Sequence, residues 1–380
     1  MSLRVEQIRL IHVRVPLHEP FVISSGAVAE KDAILIELRA DALTGLGEAS
    51  PMAGSFYSHH TPDTCWEHLV RQLVPVLHSS QELSPRDFLA ATEHLDDPYA
   101  RCGIETALWD LLARAHGVPL CQALDAAVPP GSVESGLAVG IYPTTTVFLQ
   151  RIAYHLRRDG YRRIKIKVQP GWDVEPLEAV RRQWPDFPLM VDANGAYRRE
   201  HIKHIATWDR FRLMMIEQPL PADDLDGHAL LARSCRTPIC LDESARSPAV
   251  VREAIERGAA GIVNIKLQRV GGFAAATEIL AIARQARIGC WMGTMPELGV
   301  GGWAAVHAAA LPNNLFPTDV EASRRWFVDD ITVPRIECVA GRISVPTRPG
   351  LGIALDDVVV RAHTCREYRT RIALRLFGNR

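Results

Sequence analysis

No stretch of this 380-residue chain stays apolar for long enough to cross a bilayer as a helix, which argues against a membrane-spanning helical protein. Neither sign of charge prevails. Lys and Arg number 43 against 44 Asp and Glu, so the net charge is −1 and no electrostatic footprint for nucleic acid or an anionic membrane is present. The eight cysteines include no Cys-x-x-Cys pair, and scattered through a chain this long they read as reduced thiols of a cytoplasmic protein. The start, Met1-Ser2-Leu3-Arg4, leads into alternating polar and apolar residues, unlike a secretory signal. No Gly-x-Ser-x-Gly elbow offers a serine nucleophile, and no Gly-x-Gly-x-x-Gly turn offers a dinucleotide site. Lysine is the scarcest charged residue. Of the 43 basic positions only Lys31, Lys165, Lys167, Lys203 and Lys266 are lysine, so each asks for a reason in a chain otherwise written in arginine.

Apolar residues at 47% supply a sizeable core, and their periodicity changes along the chain. Residues 5–15 and 32–38 are rich in β-formers, and Thr44-Gly45-Leu46-Gly47 punctuates before another short strand. Thr61-Pro62-Asp63 opens a helical pattern carried by Leu69, Leu73 and Leu77. A second runs from 101 to 116 through Ile104, Leu108, Leu111 and Leu112, and Gly117 with Pro119 ends it. Residues 1–125 therefore read as an α+β unit. From about Gly136 short apolar segments recur roughly every 25 residues, at 137–139, 164–168, 189–191, 213–216, 239–241, 262–265, 290–292 and 315–316, with helical stretches between. Eight alternating units over 126–322 predict an α/β chain, a parallel (β/α)8 barrel of the TIM type. The rest, 323–380, carries Pro349-Gly350-Leu351-Gly352 and is expected to return to the N-terminal unit as a capping domain.

Active sites of such barrels lie where the strands finish. The residues finishing consecutive segments are Lys165 and Lys167, then Asp192, Glu217, Asp242 and Lys266, spaced 25, 25, 25 and 24 from Lys167 onward. Equal spacing at one repeat per step puts three carboxylates on one ring with a lysine on either flank. Convergent anions repel, and a divalent cation resolves the repulsion. All-oxygen donors favour Mg²⁺ or Mn²⁺ over Zn²⁺. Arginine stays protonated, whereas a desolvated lysine gives up its proton, so lysines here read as tunable bases. Lys165 and Lys167, two apart on a strand, point to the same side. A metal beside paired bases suits abstraction of the weakly acidic proton next to a carboxylate, whose enolate needs concentrated positive charge.

The segments Lys165-Ile166-Lys167, Asp192-Ala193-Asn194, Ile216-Glu217-Gln218-Pro219, Asp242-Glu243-Ser244 and Asn264-Ile265-Lys266 resemble the enolase superfamily, within it the muconate lactonizing enzyme subgroup. The seventh segment ends Cys290-Trp291-Met292-Gly293, without the histidine of the mandelate racemase subgroup. Residues 164–176, residues 236–244 and Arg269 are most similar to o-succinylbenzoate synthases and N-acylamino acid racemases. The resemblance implies that Asp192, Glu217 and Asp242 hold Mg²⁺ and that Lys167 and Lys266 are an opposed acid/base pair. Glu243 would support the ligands. Lys165, Asn194, Arg269, Phe21, Phe56, Tyr57, Met295, Glu297 and Asp319 would meet a small carboxylate substrate. It also implies a mobile specificity loop at 20–26, a second near 56–57, and a homo-oligomer, dimer or octamer. Cycloisomerase or dipeptide epimerase chemistry is the alternative within the family, and a binding barrel without catalysis the alternative outside it.

The chain departs from the family pattern at Leu298, where Ser or Thr is usual, and at Glu321, where Ser is. Dipeptide epimerases carry Asp-x-Asp at the latter place; Asp319-Val320-Glu321 makes dipeptides a poorer fit. His201 and His204 are expected on a solvated helix face, and His59-His60 as a surface pair.

Overall fold

The structure is a computed structural model that describes residues 2–23, 26–54, 58–125 and 128–378. Phe56 and Tyr57, expected at the substrate, lie outside the described residues.

The N-terminal unit is a five-stranded sheet in the order Leu43–Ala49, Gly26–Ala40, Ser2–Ile23, Thr364–Phe377 and Glu82–Leu83. The first two strands are longer than the β-former runs suggested. Phe21 pairs with Val28 and Val22 with Ala27, so the described residues on either side of the expected loop at 20–26 are paired strand. The tail returns to this unit as a long strand. Its main element is the 14-residue strand Thr364–Phe377, which inserts beside the first strand, with Ser2 opposite Phe377 and Thr364 opposite Val13. The Pro349–Gly352 turn docks separately, through the Leu351 N–H on Asp110 Oδ1 at 2.6 Å.

The helix Pro98–His116 lies across this sheet with 14 of its 19 residues buried. Its approach to Leu43–Ala49 is set by glycine. A Cβ on Gly47 would collide with the Gly103 carbonyl oxygen, and one on Gly45 with that of Ala107. Backbone against backbone leaves nothing to yield. Gly47→Ala is therefore expected to cost about 3 kcal/mol or more, at the high end of overpacking penalties. Its urea-unfolding midpoint checks this, and a change within about 0.5 kcal/mol would refute the packing argument.

Seven parallel strands follow in sequence order: Leu137–Val139, Ile164–Lys167, Leu189–Asp192, Ile216–Glu217, Ile239–Leu241, Ile262–Ile265 and Gly289–Met292. The eighth expected strand is not regular. Instead, Asn314 bridges Cys290 and Thr318 bridges Ser135, with Leu315 N donating to Cys290 O at 2.8 Å and Thr318 N to Glu134 O at 2.8 Å. Pro317 has no N–H to continue a ladder, so the ring closes through these few bonds.

Cap and barrel share a buried carboxylate. Glu105, on the cap helix, accepts from the N–H groups of Phe273 (2.8 Å) and Ala274 (3.0 Å) and from Trp109 Nε1 (2.8 Å). These are the first turn of helix Phe273–Gln285, whose own preceding residue, Gly272, has no side chain to cap it. Glu105 does so from another domain, beside the positive helix end. Burial pushes its carboxyl up to about 7, against three hydrogen bonds that pull it down. The unfolded chain loses this proton near 4.5, the folded one near 7, so this group's contribution to stability falls as pH rises between them. The integrated loss is of order 3 kcal/mol. Glu105→Gln should flatten that fall in a comparison of unfolding free energy at pH 5 and pH 8; an unchanged slope would remove Glu105 as its source.

Candidate active site

At the C-terminal ends of the second to sixth strands the side chains meet as their spacing implied. Asp192, Glu217 and Asp242 are fully buried and each offers an oxygen within 4.8 Å of the others. Lys167 ends the strand beside that of Asp192, and Lys266 follows the strand beside that of Asp242, so the lysines stand on opposite flanks of the carboxylates. Lys167 Nζ donates to Asp192 Oδ2 at 2.6 Å and to Asn194 Oδ1 at 2.9 Å. Lys266 Nζ donates to Asp242 Oδ2 at 2.8 Å. Arg269 takes the other oxygen of Asp242.

Lys165 is differently placed. Its ammonium pairs with Asp319, lies 3.2 Å from Glu217 Oε2 and 3.5 Å from Asp192 Oδ2, and sits over the Trp291 ring. Burial works against its charge, but Asp319, Glu217 and Asp192 outweigh it and raise its pKa. A lysine so held is a fixed cation rather than a base. Asp319 is itself held by Arg163 Nη2 at 2.8 Å, so both its oxygens are engaged from below the site.

The donor set fits a divalent cation. Burial, then the neighbouring Asp192, pushes the Glu217 carboxyl up to about 8. Oε1 of Glu217 accepts from Asn264 Nδ2 at 2.6 Å, while Oε2 is buried and accepts no hydrogen bond, the Lys165 ammonium facing it without the alignment for one. Asp192 is kept below the usual carboxylate range because the Lys167 and Lys165 charges overcome its burial. A buried carboxylate carrying a proton near neutrality, with one oxygen accepting no hydrogen bond, suits a cation.

The supports are local. Asn194, two residues past its carboxylate strand, and Gln218, the first past its own, adopt left-handed backbone, with φ of 45° and 37°. Asn194 Nδ2 then reaches Glu243 Oε1 at 2.9 Å, and Gln218 Oε1 accepts from the N–H of Asp242 at 2.9 Å. Such outer contacts fix the rotamers of the groups they touch.

Other expected residues are spread more widely. Phe21 and Met295 line one small cavity with Lys31 and Met52, and Phe21 meets the edge of Trp326 at 4.8 Å between centroids. Glu297 is buried and accepts from the Met295 N–H at 3.1 Å. Glu321 is turned into the wall, accepting from the Ala138 N–H at 2.5 Å. Leu298 needs no hydroxyl to hold its loop, since its N–H donates to Glu48 Oε1 at 2.8 Å. His59 is exposed as expected, but His60 is buried and packs 5.6 Å from Tyr99. Three contributors escaped the sequence reading: Arg163, Trp291 and Asn264. Arg163 had a signal, because it is two before Lys165 on the same inward period.

Known proteins match this arrangement. Residues 148–359 match the family described as enolase C-terminal domain-like, and residues 5–124 the mandelate racemase / muconate lactonizing enzyme N-terminal domain. The chain belongs to the enolase superfamily. It is 40% identical over 369 residues to an o-succinylbenzoate synthase of Geobacillus kaustophilus, covering 96% of this chain and 97% of that one. It is 38% identical to an N-succinylamino acid racemase of Amycolatopsis, covering 94% and 98%. The crystal structure of an enolase superfamily member from Listeria innocua superposes with a TM-score of 0.91 at 33% identity, covering 97% of this chain and 99% of that chain. The muconate lactonizing architecture, a (β/α) barrel under an α+β cap, is thus the one this superfamily chain adopts. No helix among the described residues is long and apolar enough to cross a membrane.

Proposed function

We propose that the protein removes the proton α to a carboxylate, forming o-succinylbenzoate by dehydration and interconverting the enantiomers of N-succinylamino acids. The observation that carries this reading is the pair of buried lysines, Lys167 and Lys266, on opposite flanks of three buried carboxylates. The names of the relatives above point to the same two reactions.

Asp192, Glu217 and Asp242 would hold Mg²⁺, which supplies positive charge for the substrate carboxylate and its enolate. Lys165, a fixed cation, orients and neutralises that carboxylate from the barrel floor. In the dehydration Lys167 takes the α-proton, Lys266 stabilises the enolate as an ammonium, and the β-hydroxyl leaves as water by taking that proton back from Lys167. In racemisation one lysine takes the proton from one face while the other returns a proton to the opposite face. Arg269, with Lys266 on the same carboxylate, keeps Asp242 ionised between two cations. The cavity of Phe21, Met52 and Met295 would receive the apolar part of an acyl or ring substrate beneath the closing cap. A homo-oligomer in the cytoplasm completes this reading.

Proton NMR in D₂O with Mg²⁺ tests it. N-succinyl and N-acetyl amino acids should lose their α-proton signal, and a parallel ultraviolet assay should register o-succinylbenzoate. Silence in both, with metal bound, would move the substrate to another carboxylate and sink the two named reactions.

A further inference from the structure

Helix Thr145–Asp159, the first of the barrel, places Arg151, His155 and Arg158 at i, i+4 and i+7, hence on one face. Like charges stacked so repel, and nothing in the carboxylate centre uses them. They face a cavity of about 290 Å³ that Arg324 and Arg325 close from the turn after the barrel and His18 and Glu19 from the first cap strand.

The acids present do not balance this charge. Glu19 pairs with Arg151 at 2.7 Å and is 3.8 Å from Arg325. Asp159 pairs with Arg158 at 2.9 Å and with Arg324 at 2.5 Å. Two carboxylates thus answer four guanidiniums. Glu321 stands 3.7 Å from Arg325, and with its carboxyl pushed up to about 7 by burial it offsets only part of the surplus.

Donors are left over as well as charge. His155 is 5% exposed, yet neither ring nitrogen has a hydrogen-bond partner. Arg158 Nη2 is also buried without one, and Arg325 Nε faces only Glu321 Oε2, at 3.7 Å. Buried polar atoms without partners are costly, and here they belong to side chains that line one cavity. Burial, and then Arg325, Arg158 and Arg151, push the His155 ring down to about 3, so it stands neutral and can still donate one N–H.

We propose that this cleft, at the seam of cap and barrel, is a binding site for a phosphate-type dianion, separate from the carboxylate centre. Guanidinium forks match phosphate oxygens in pairs, and donors arriving from three chain segments suit a tetrahedral ligand better than a planar carboxylate. The surplus positive charge suits a dianion. A free orthophosphate and the phosphoryl end of a small metabolite share this chemistry.

Isothermal titration calorimetry on the full-length protein, at ionic strength held constant with chloride, uses sodium orthophosphate and glycerol 3-phosphate as probes. One saturable site per chain is expected. The half-exposed pair Arg151→Gln with Arg324→Gln should weaken it at least tenfold. Arg210→Gln with Arg236→Gln, the same charge removed elsewhere, should leave it unchanged. Tighter binding of glycerol 3-phosphate would assign an organic phosphate, and equal or weaker binding the free ion; both uphold the site. Absence of saturable binding, equal affinity in the Arg151/Arg324 variant, or equal weakening in the remote variant would overturn it. Turnover of the Arg151/Arg324 variant without phosphate is expected to match that of the unmodified protein.

Discussion

Lys167→Ala and Lys266→Ala are each expected to lower turnover by about 10³-fold or more, the upper part of the range for losing a positioned acid or base. Metal binding should survive both. Each ammonium donates to a carboxylate of the triad, at 2.6 Å for Lys167 and 2.8 Å for Lys266, so deleting either leaves the triad more negative. Affinity for a divalent cation should hold or tighten, which separates lost chemistry from a collapsed site. The two-base arrangement makes a finer demand. On an N-succinylamino acid in D₂O, each variant should exchange the α-proton of one enantiomer only, the one whose proton faces the remaining lysine. Racemisation should vanish in both. Retained turnover in either variant, or loss of exchange for both enantiomers in each, would contradict the assignment of two opposed bases.

These lysines and carboxylates were legible in the sequence because a barrel converts regular spacing into a ring. A side chain at the end of each strand, one repeat apart, has nowhere else to go. What surrounds them was harder to read, because sequence period fixes a face but not a partner. Glu105 sits 168 residues from the Phe273 N–H that it caps, and no local pattern announces that the helix start at Phe273 lacks its own cap. Gln268 belongs to the same class: its amide joins barrel to cap through Glu48 O at 2.8 Å and the Ser50 N–H at 3.0 Å. The strand Thr364–Phe377 mixes arginines with threonine, glutamate and apolar residues, a pattern as compatible with a solvated edge as with the pairing it finds more than 350 residues upstream. The eighth barrel segment failed in the opposite sense. Its apolar pair Leu315-Phe316 read as a strand, but Pro317 interrupts the ladder and Leu315 faces solvent. Lys31 remains the instructive lysine. Its rarity asked for a reason, and the structure gives a packing one: it is buried in the cap with its ammonium on Ser50 O at 2.9 Å, where burial lowers its pKa and Glu48 and Glu297 lend it charge.

Glu217→Gln carries the second large effect, and its two consequences have opposite signs. Removing one of three oxygen donors should cost about 10³-fold in turnover, comparable to losing an electrostatic stabiliser at the reacting carbon. It should also abolish most of the rise in melting temperature that Mg²⁺ gives, since that rise scales with metal affinity. Without metal, the expectation reverses. The Glu217 carboxyl is fully buried, burial and Asp192 push it up to about 8, and Oε2 accepts no hydrogen bond. A neutral amide of the same shape replaces a carboxyl that must take up a proton to be buried beside two anions, while Lys165 keeps Asp319 and Asp192 as partners. The metal-free variant should therefore melt above the metal-free unmodified protein, and below the unmodified protein once Mg²⁺ is added. Melting curves of both proteins in chelator and in excess Mg²⁺ decide it. A variant that melts lower in both conditions would show that Glu217 serves the fold. One that keeps the full Mg²⁺ shift would remove it from the ligand set. The crossing of the two curves is what a site built for a cation requires: three carboxylates held together at a cost that only the bound ion repays.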